Sequence, residues 1–186
     1  MFSRLKSILF ILVFSVTTCF TQELVQNDLE TSINFKIKNF GINVAGVFNV
    51  YEFSSNFDAA NLKDSFMNAI ISVKSITTNT NAIDKHLLKS DFFDVENHPK
   101  IIYKSTEIEK KDGSKYIIKG FLNIKGIKKR IETPIEIKEK GGKFVFSANF
   151  TLNRKDFDVG GSSLVLSKKV NVKMKYVANR NQKRAF

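Results

Sequence analysis

Apolar and polar residues alternate with a period of two from Ile33 almost to the C-terminus, as they do in strands that are buried on one face. The clearest run is 144–152, in which Phe, Ala and Leu occupy every second position. The run 66–76 is apolar at consecutive positions, which predicts a strand covered on both faces. The predicted extended runs are 33–38, 44–53, 66–76, 100–108, 116–124, 131–138, 144–152 and 170–176.

The breaks between these runs are short and rich in glycine. Asp112–Gly113 and Gly141–Gly142 are typical of two-residue hairpin loops, and Gly126 ends another run at a tight turn. Because parallel strands need a crossover connection of about a dozen residues, such short connections predict antiparallel neighbours.

Two segments depart from the alternation. Residues 58–64 contain one helical turn, and residues 81–93 have helical spacing, with Asn79 or Asn81 as the predicted N-cap. The predicted fold class is all-β: a closed antiparallel barrel of about eight strands with one or two short helices. Closure removes exposed strand edges, and a barrel of about eight strands is just wide enough for its own side chains or one small ligand.

The first residues have the features of a secretory signal peptide. Arg4 and Lys6 precede an apolar run at 7–16 that is too short to span a bilayer comfortably. We expect cleavage before Gln22 and export to the periplasm or beyond, with acylation of Cys19 as a less favoured alternative. The predicted organisation is a signal peptide at 1–21, a polar lead-in at 22–30, a barrel domain at 31–178 and a basic tail at 179–186.

Charge and cysteine content limit the possible partners. Cys19 is the only cysteine, so a chain that begins at Gln22 has no disulfide and no thiolate for catalysis or metal binding. The formal net charge is +12, but the lysines are spread over polar strand positions, whereas nucleic-acid sites favour clustered Arg among exposed aromatics. No nucleic-acid partner is therefore expected. Arg180, Lys183 and Arg184 predict a peripheral contact with anionic lipid at most.

The aromatic composition is unusual, with eighteen Phe, four Tyr and no Trp. Phe has no polar group that needs a hydrogen-bond partner, so it can line a dry interior. Two interpretations fit this composition: the rings fill the barrel completely, or they wall a cavity for an apolar ligand.

Four passages form a set with a distinctive order and spacing. They are SITTN at 75–79, HLLKSDFFDVENHP at 86–99 with IYKS at 102–105, GFLNIKG at 120–126, and NRKDF at 153–157 followed by VG at 159–160. Together they resemble the YceI family of lipocalin-like, polyisoprenoid-binding proteins over residues 31–178. The chain departs from the family pattern at Asn39, where a His is usual, and at Ile83, where an Arg is usual.

The resemblance implies a lipocalin-like barrel with a tunnel for an isoprenoid chain, often in a homodimer, with no cofactor beyond that lipid. We therefore expect binding, storage or transport of an isoprenoid-like lipid, such as a quinone or polyprenyl compound, in the cell envelope. The candidate ligand contacts are inward-facing strand residues and a Phe pair at one end: Phe35, Ile37, Phe48, Phe92, Phe93, Ile118, Leu122, Ile135, Phe146, Phe150, Val172 and Met174.

The polar candidates lie next to these apolar residues. His86 and Asp91 are expected to hold the helix against the barrel mouth through hydrogen bonds. Arg154 and Asp156 either pair with each other, which we favour, or meet a polar headgroup, since Arg can bind phosphate through two parallel hydrogen bonds.

No residue pattern indicates catalysis or a metal site. A zinc-type site needs three or four convergent ligands, and only His86 and His98 supply imidazoles. The sequence lacks a Gly-x-Ser-x-Gly elbow, so an enzyme is not expected. The alternative function is that of an envelope interaction protein with a filled barrel, which binds anionic partners through its Lys-rich surface.

Overall fold

The computed structural model describes residues 24–180, so the predicted signal peptide, Cys19, Lys183 and Arg184 lie outside the described residues. This part of the chain forms eleven strands and one α-helix, with single 3-10 turns at Leu62–Asp64, Val73–Ser75 and Arg154–Phe157. The elements are β1 (Leu24–Gln26), β2 (Ser32–Asn39), β3 (Ile42–Phe48), β4 (Tyr51–Asn56), β5 (Phe66–Ser72), β6 (Ile76–Thr78), α1 (Asn81–Leu87), β7 (Lys100–Asp112), β8 (Lys115–Ile124), β9 (Ile127–Lys140), β10 (Lys143–Asn153) and β11 (Leu166–Arg180).

Eight strands close into an antiparallel ring in the order β1-β4-β5-β7-β8-β9-β10-β11, and β11 pairs again with β1. The long strand β11 makes closure possible. One of its edges pairs with β10, and its other edge is shared by β1 and β2. Residues 178–180 pair with β1, while residues 166–175 pair with β2. Strands β2, β3 and β6 therefore extend the wall beyond the ring at one end. The predicted closed antiparallel barrel of about eight strands with a short helix is confirmed.

Two predicted extended runs are divided in the structure. The run 44–53 breaks at Asn49, because β3 pairs with β2 and β6 whereas β4 pairs with β5 and β1. The Asn49 side-chain amide donates to the hydroxyl of Thr77 at 3.0 Å and so marks the change of partners. The run 66–76 ends as a strand at Ser72 and resumes as β6 after a 3-10 turn.

The helix α1 is shorter than the predicted segment 81–93, and its N-cap residue is Thr80 rather than Asn79 or Asn81. Thr80 makes no capping bond through its side chain. The start of the helix is held instead by Asp84, whose carboxylate accepts from the backbone N–H and the hydroxyl of Thr78, both at 2.7 Å. These two hydrogen bonds fix the helix to Thr78 at the end of β6.

Packed aromatic rings close one end of the barrel. Phe53 stacks on Tyr176 with ring centroids 4.4 Å apart, Tyr176 stacks on Phe146 at 5.1 Å, and Phe57 meets Phe146 edge-on at 5.9 Å. The buried hydroxyl of Tyr176 is hydrogen-bonded to that of Ser55 at 2.8 Å. We call this cluster of Phe53, Phe57, Phe146 and Tyr176 the aromatic floor. It lies beside β1, where the ring of strands closes.

Within residues 24–180, no helix is long and apolar enough to cross a membrane.

Candidate functional site

Above the aromatic floor, the barrel contains an apolar cavity of about 180 Å³, which we call the mouth chamber. Its wall is formed by inward-facing residues of the strands, by α1 and the turn that follows it, and by the loop after β10. Apart from Arg154, every side chain of this wall is Ile, Leu, Val or Phe. An engineered apolar cavity of about 150 Å³ in another protein stays dry and takes up benzene, so this volume suits an apolar group of ring size.

A second cavity of about 90 Å³, the inner chamber, adjoins the mouth chamber on the side of the floor. The two chambers share a ring of lining residues, which we call the neck. The neck consists of Ile33, Ile71, Leu122, Phe150 and Val172. The two chambers are therefore neighbours in the barrel, with the neck side chains between them.

Strand register explains why these side chains meet. Phe150 lies opposite Val172, Val172 opposite Phe35, and Phe35 opposite Gly46, so four neighbouring strands contribute one row of the wall. A Cβ atom at Gly46 would lie 2.3 Å from Cζ of Phe35. Glycine at this position is therefore required for the Phe35 ring to lie against β3, within the chamber wall.

Tyr103 lines the inner chamber and is only 8% exposed. Its hydroxyl is buried and has no hydrogen-bond partner among the described residues. The ring lies across β8 at Gly120, where a Cβ atom would be 2.8 Å from the hydroxyl oxygen. Burial raises the pKa of Tyr103 far above its usual range, so the phenol stays neutral and can still donate or accept a hydrogen bond.

The structure places eleven of the twelve predicted apolar contacts in a chamber wall, and these divide between the two cavities. The mouth chamber is lined by Phe35, Ile37, Phe48, Phe92, Phe93, Leu122, Phe150 and Val172. The inner chamber is lined by Ile118, Leu122, Ile135, Phe150, Val172 and Met174. Phe146 lies elsewhere: it is 0% exposed and packs within the aromatic floor, so we assign it to the floor and not to the wall.

Several wall residues were absent from the sequence prediction. Ile33, Leu152 and Val170 share the inward phase of predicted neighbours on their strands, so extending the alternation by one step would have found them. Phe157 and Val159 follow β10 in a 3-10 turn and loop, where no period of two exists to indicate a face.

Arg154 holds the loop at the mouth. The residue is 4% exposed, and its guanidinium donates four hydrogen bonds to backbone carbonyls of that loop and of the start of β11. The acceptors are the carbonyls of Val159 at 2.6 Å, Ser167 at 2.9 Å, Gly161 at 3.0 Å and Leu166 at 3.1 Å. Burial lowers the pKa of Arg154 from its usual value.

The favoured pairing of Arg154 with Asp156 is wrong. The guanidinium is engaged by carbonyls, and the exposed Asp156 accepts instead from the side-chain amide of Asn153 at 2.8 Å. Among the described ion pairs, none joins Arg154 to a carboxylate. Because four carbonyls occupy the fork, bidentate binding of a phosphate would first have to displace the loop.

His86 and Asp91 lie together at the rim of the mouth. His86 Nε2 is 3.6 Å from Asp91 Oδ2, and both side chains are about half exposed. The ring of Phe92, which lines the mouth chamber, packs against the imidazole with centroids 4.7 Å apart. The backbone of Asp91 accepts from the N–H of Gly160 at 2.8 Å, which joins this turn to the Arg154 loop.

A larger concavity, about 640 Å³, lies on the outside of the barrel. Its lining is mostly Asn, Thr and Lys, including Lys36 and Lys173, and it also includes Phe35, Phe150 and Val172 of the mouth-chamber wall. In residues 24–180, no group of three or more His, Cys, Asp or Glu side chains is arranged to hold a metal ion.

The fold and the chambers define a small closed antiparallel β-barrel with an apolar internal cavity. The chain belongs to the YceI family: the model of the YceI-like domain matches residues 26–178. The resemblance carried by the four sequence passages is thereby confirmed.

Curated relatives and solved structures support this assignment. A UPF0312 protein of Pectobacterium carotovorum is 33% identical over 134 residues, covering 68% of this chain and 69% of the relative. A UPF0312 protein of Vibrio parahaemolyticus is 31% identical over 144 residues, covering 72% of this chain and 76% of the relative.

Among solved structures, BcnA of Burkholderia cenocepacia superposes with a TM-score of 0.80 at 22% identity, covering 83% of this chain and 99% of that protein. A YceI protein of Campylobacter jejuni gives a TM-score of 0.68 at 28% identity, covering 74% and 85%. A polyisoprenoid-binding domain of Saccharophagus degradans gives 0.67 at 12% identity, covering 87% and 99%.

The Arg154→Lys substitution is expected to lower the free energy of unfolding by about 2 kcal/mol, because an ammonium group cannot reproduce the four-carbonyl fork. Urea unfolding followed by circular dichroism measures this change. Lys155→Gln, at the exposed neighbouring position, is the matched control and should leave stability unchanged. Equal stability of the Arg154→Lys variant and the wild type would contradict the role assigned to the fork.

The Tyr103→Phe substitution is expected to leave the free energy of unfolding unchanged or raise it by up to about 1 kcal/mol, because it removes an unpaired buried hydroxyl. Tyr51→Phe is the matched comparison, since the Tyr51 hydroxyl donates to the carbonyl of Thr31 at 2.6 Å. That variant should lose about 1 kcal/mol. An equal loss in both variants would show that the Tyr103 hydroxyl is satisfied in the folded protein.

Proposed function

We propose that the protein binds an isoprenoid-like lipid in the mouth and inner chambers and stores or carries it in the cell envelope. The observation that carries this proposal is the pair of apolar chambers that adjoin at the neck, above the aromatic floor. The structurally similar domain of Saccharophagus degradans is described as polyisoprenoid-binding, which agrees with an isoprenoid ligand. The signal-peptide features of residues 1–21 support the envelope as the location.

The chemistry of the wall favours an apolar chain with small branches. Each buried methylene contributes about 0.8 kcal/mol, so ten such groups would supply about 8 kcal/mol before the entropic cost of immobilisation. The two chambers as they stand hold only the end of a long chain. A longer ligand would require wall side chains to change rotamer, and Met174 and Phe93 are suited to this because they are only partly buried.

We also propose that the protein acts by binding alone and is not an enzyme. The two titratable side chains that line the chambers are Arg154 and Tyr103. Arg154 donates four hydrogen bonds to backbone carbonyls. The raised pKa of Tyr103 keeps its phenol protonated at neutral pH. Neither group is suited to remove a proton from a bound lipid, because a general base needs a pKa near the working pH.

The Ala148→Phe substitution is expected to lower affinity for an isoprenoid at least about tenfold, because Ala148 faces the inner chamber and a ring there fills it. Binding of added geranylgeraniol, a water-insoluble isoprenoid alcohol, is measured by native mass spectrometry. Ala45→Phe is the matched control, since Ala45 is exposed and lies on the outer groove. It should bind as the wild type does.

If the Ala148→Phe protein does not fold, the smaller Ala148→Leu substitution is used in its place. Circular dichroism checks that each variant is folded. Unchanged binding by a folded Ala148→Phe variant would contradict a ligand site in the inner chamber. A wild-type protein that takes up no geranylgeraniol and carries no co-purified lipid would contradict the proposed function as a whole.

A second candidate function, binding of an anionic polymer by the outside of the barrel, is favoured by one observation. The outer groove contains Lys36 and Lys173, and neither is joined to a carboxylate among the described ion pairs. Charge attraction in such an open groove is weak individually and sensitive to salt.

If this second function holds, the protein should bind long-chain polyphosphate with an affinity that falls as salt rises. The double variant Lys36→Gln/Lys173→Gln should then weaken binding several-fold, whereas Lys100→Gln/Lys104→Gln on β7 should not. Binding is measured by isothermal titration calorimetry at two salt concentrations. An equal effect of the two double variants would exclude the groove as the binding site.

A further inference from the structure

Four exposed apolar side chains form one patch at the rim of the mouth, which we call the rim patch: Phe40, Ile42, Leu164 and Val165. Phe40 is 73% exposed, Ile42 70% and Leu164 106%. The backbone N–H of Phe40 donates to the carbonyl of Val165 at 3.0 Å. This bond joins the β2–β3 hairpin to the loop before β11, so the four residues belong to one surface.

The rim patch continues directly from the wall of the mouth chamber. Ile37 lines that chamber, and Phe40 follows three residues later at the tip of the hairpin. Leu166 also lines the chamber, pairs with Asn39 of β2 and is preceded by Val165. The rim patch therefore lies next to residues that line the mouth chamber.

The backbone at the hairpin tip makes the choice of Phe unusual. Phe40 has φ of 50° and Gly41 has φ of 78°, the left-handed conformations of a two-residue hairpin loop. Asn, Asp and Gly are the residues that favour this geometry, and a bulky side chain there is conformationally costly. Phe40 also gains little from packing, since most of its surface is exposed. The ring of Phe40 is therefore available for a contact outside the chain.

Lysines are the only charged residues in the two segments that carry the rim patch. Residues 31–51 and 159–178, which carry the patch, include six Lys and no Asp or Glu. Lys38, Lys168 and Lys169 are exposed close to the patch, and none is joined to a carboxylate among the described ion pairs. Exposed apolar side chains with lysines beside them fit an anionic lipid surface. The apolar side chains insert among the lipids, and the negative headgroups attract the lysines.

We infer that the rim patch docks the mouth of the barrel on an anionic lipid bilayer, with Phe40, Ile42 and Leu164 inserted among the lipids. A second copy of the chain is a poorer occupant, because two such faces would bring their lysines together. The inference deepens the proposed function: it supplies the surface through which a lipid would enter or leave, while docking itself does not require a ligand.

Because the chain contains no Trp, Phe40→Trp gives a single fluorescent reporter of insertion. Its emission is expected to shift to shorter wavelength on addition of vesicles of phosphatidylcholine mixed with phosphatidylglycerol. Vesicles of phosphatidylcholine alone should cause a smaller shift. Val50→Trp is the matched control, since Val50 is 60% exposed but lies at the opposite end of the β2–β3 hairpin. It should show no shift.

The triple variant Phe40→Asn/Ile42→Thr/Leu164→Ser is expected to lower binding to the mixed vesicles at least about tenfold in co-sedimentation. The matched control is Leu29→Ser/Val50→Thr, which removes exposed apolar side chains from the other end. The control should sediment as the wild type does. Both proteins retain the whole C-terminal tail, so binding through Lys183 and Arg184 alone would affect them equally.

Geranylgeraniol binding, measured on the same variants by native mass spectrometry, separates the two claims. If the wild type binds the alcohol but no vesicle, or if the triple variant sediments as the wild type does, docking by the rim patch is wrong and the proposed function stands. If vesicle binding depends on the patch but no isoprenoid binds, docking stands without the proposed function. A change of oligomeric state in the triple variant, with vesicle binding unchanged, would make the patch a contact between copies and overturn the inference.

Discussion

The mouth of the barrel depends on one buried cation that is solvated by backbone carbonyls instead of a carboxylate. A buried charge is costly unless hydrogen bonds replace its water, so the loop after β10 has to close around the guanidinium of Arg154. The carbonyls of Val159, Gly161, Leu166 and Ser167 supply that shell. Because the last two belong to the start of β11, the same contact sets where β11 begins. The pairing of β11 with β2, and with it one side of the chamber wall, follows from that position.

The four passages that identify the family meet at this mouth, although they are far apart in sequence. The ring of Phe92 lies against Gly160, where a Cβ atom would be 2.8 Å from Cε1 of Phe92. His98 lies equally close to Gly126, with 2.8 Å between its Cε1 and the position of a Cβ atom. Thr78, in the first passage, binds the helix through the Asp84 carboxylate. The most distinctive residues of the sequence thus build the entrance, and several of them, including Phe92, Phe93 and Arg154, also line the mouth chamber.

Much of the wall could be predicted from sequence, because a period of two fixes the face of every residue once one is known to point inward. Phe150 and Val172 were found in this way. Phe146 has the same phase but lies in the floor, since height along the barrel depends on strand stagger, which alternation does not encode. The sequence favours a pairing of Arg154 with Asp156 because both flank the end of a strand. Its actual partners are carbonyls of a loop whose course is determined only when the chain is folded.

The unfilled volume itself argues for a ligand. Voids left by truncating buried side chains cost about 24 cal/mol per Å³, so an empty chamber of 180 Å³ would cost at most about 4 kcal/mol, against a net stability of about 5–15 kcal/mol for a typical domain. One larger side chain in the neck, at Ile71 or Val172, would reduce that cost. The aromatic floor shows that large side chains do fill the barrel at its other end. The tight packing of the floor contributes stability that offsets the cost of the empty chamber at the other end. A void beside an apolar rim agrees with the proposed role of the chambers as a site for an apolar guest.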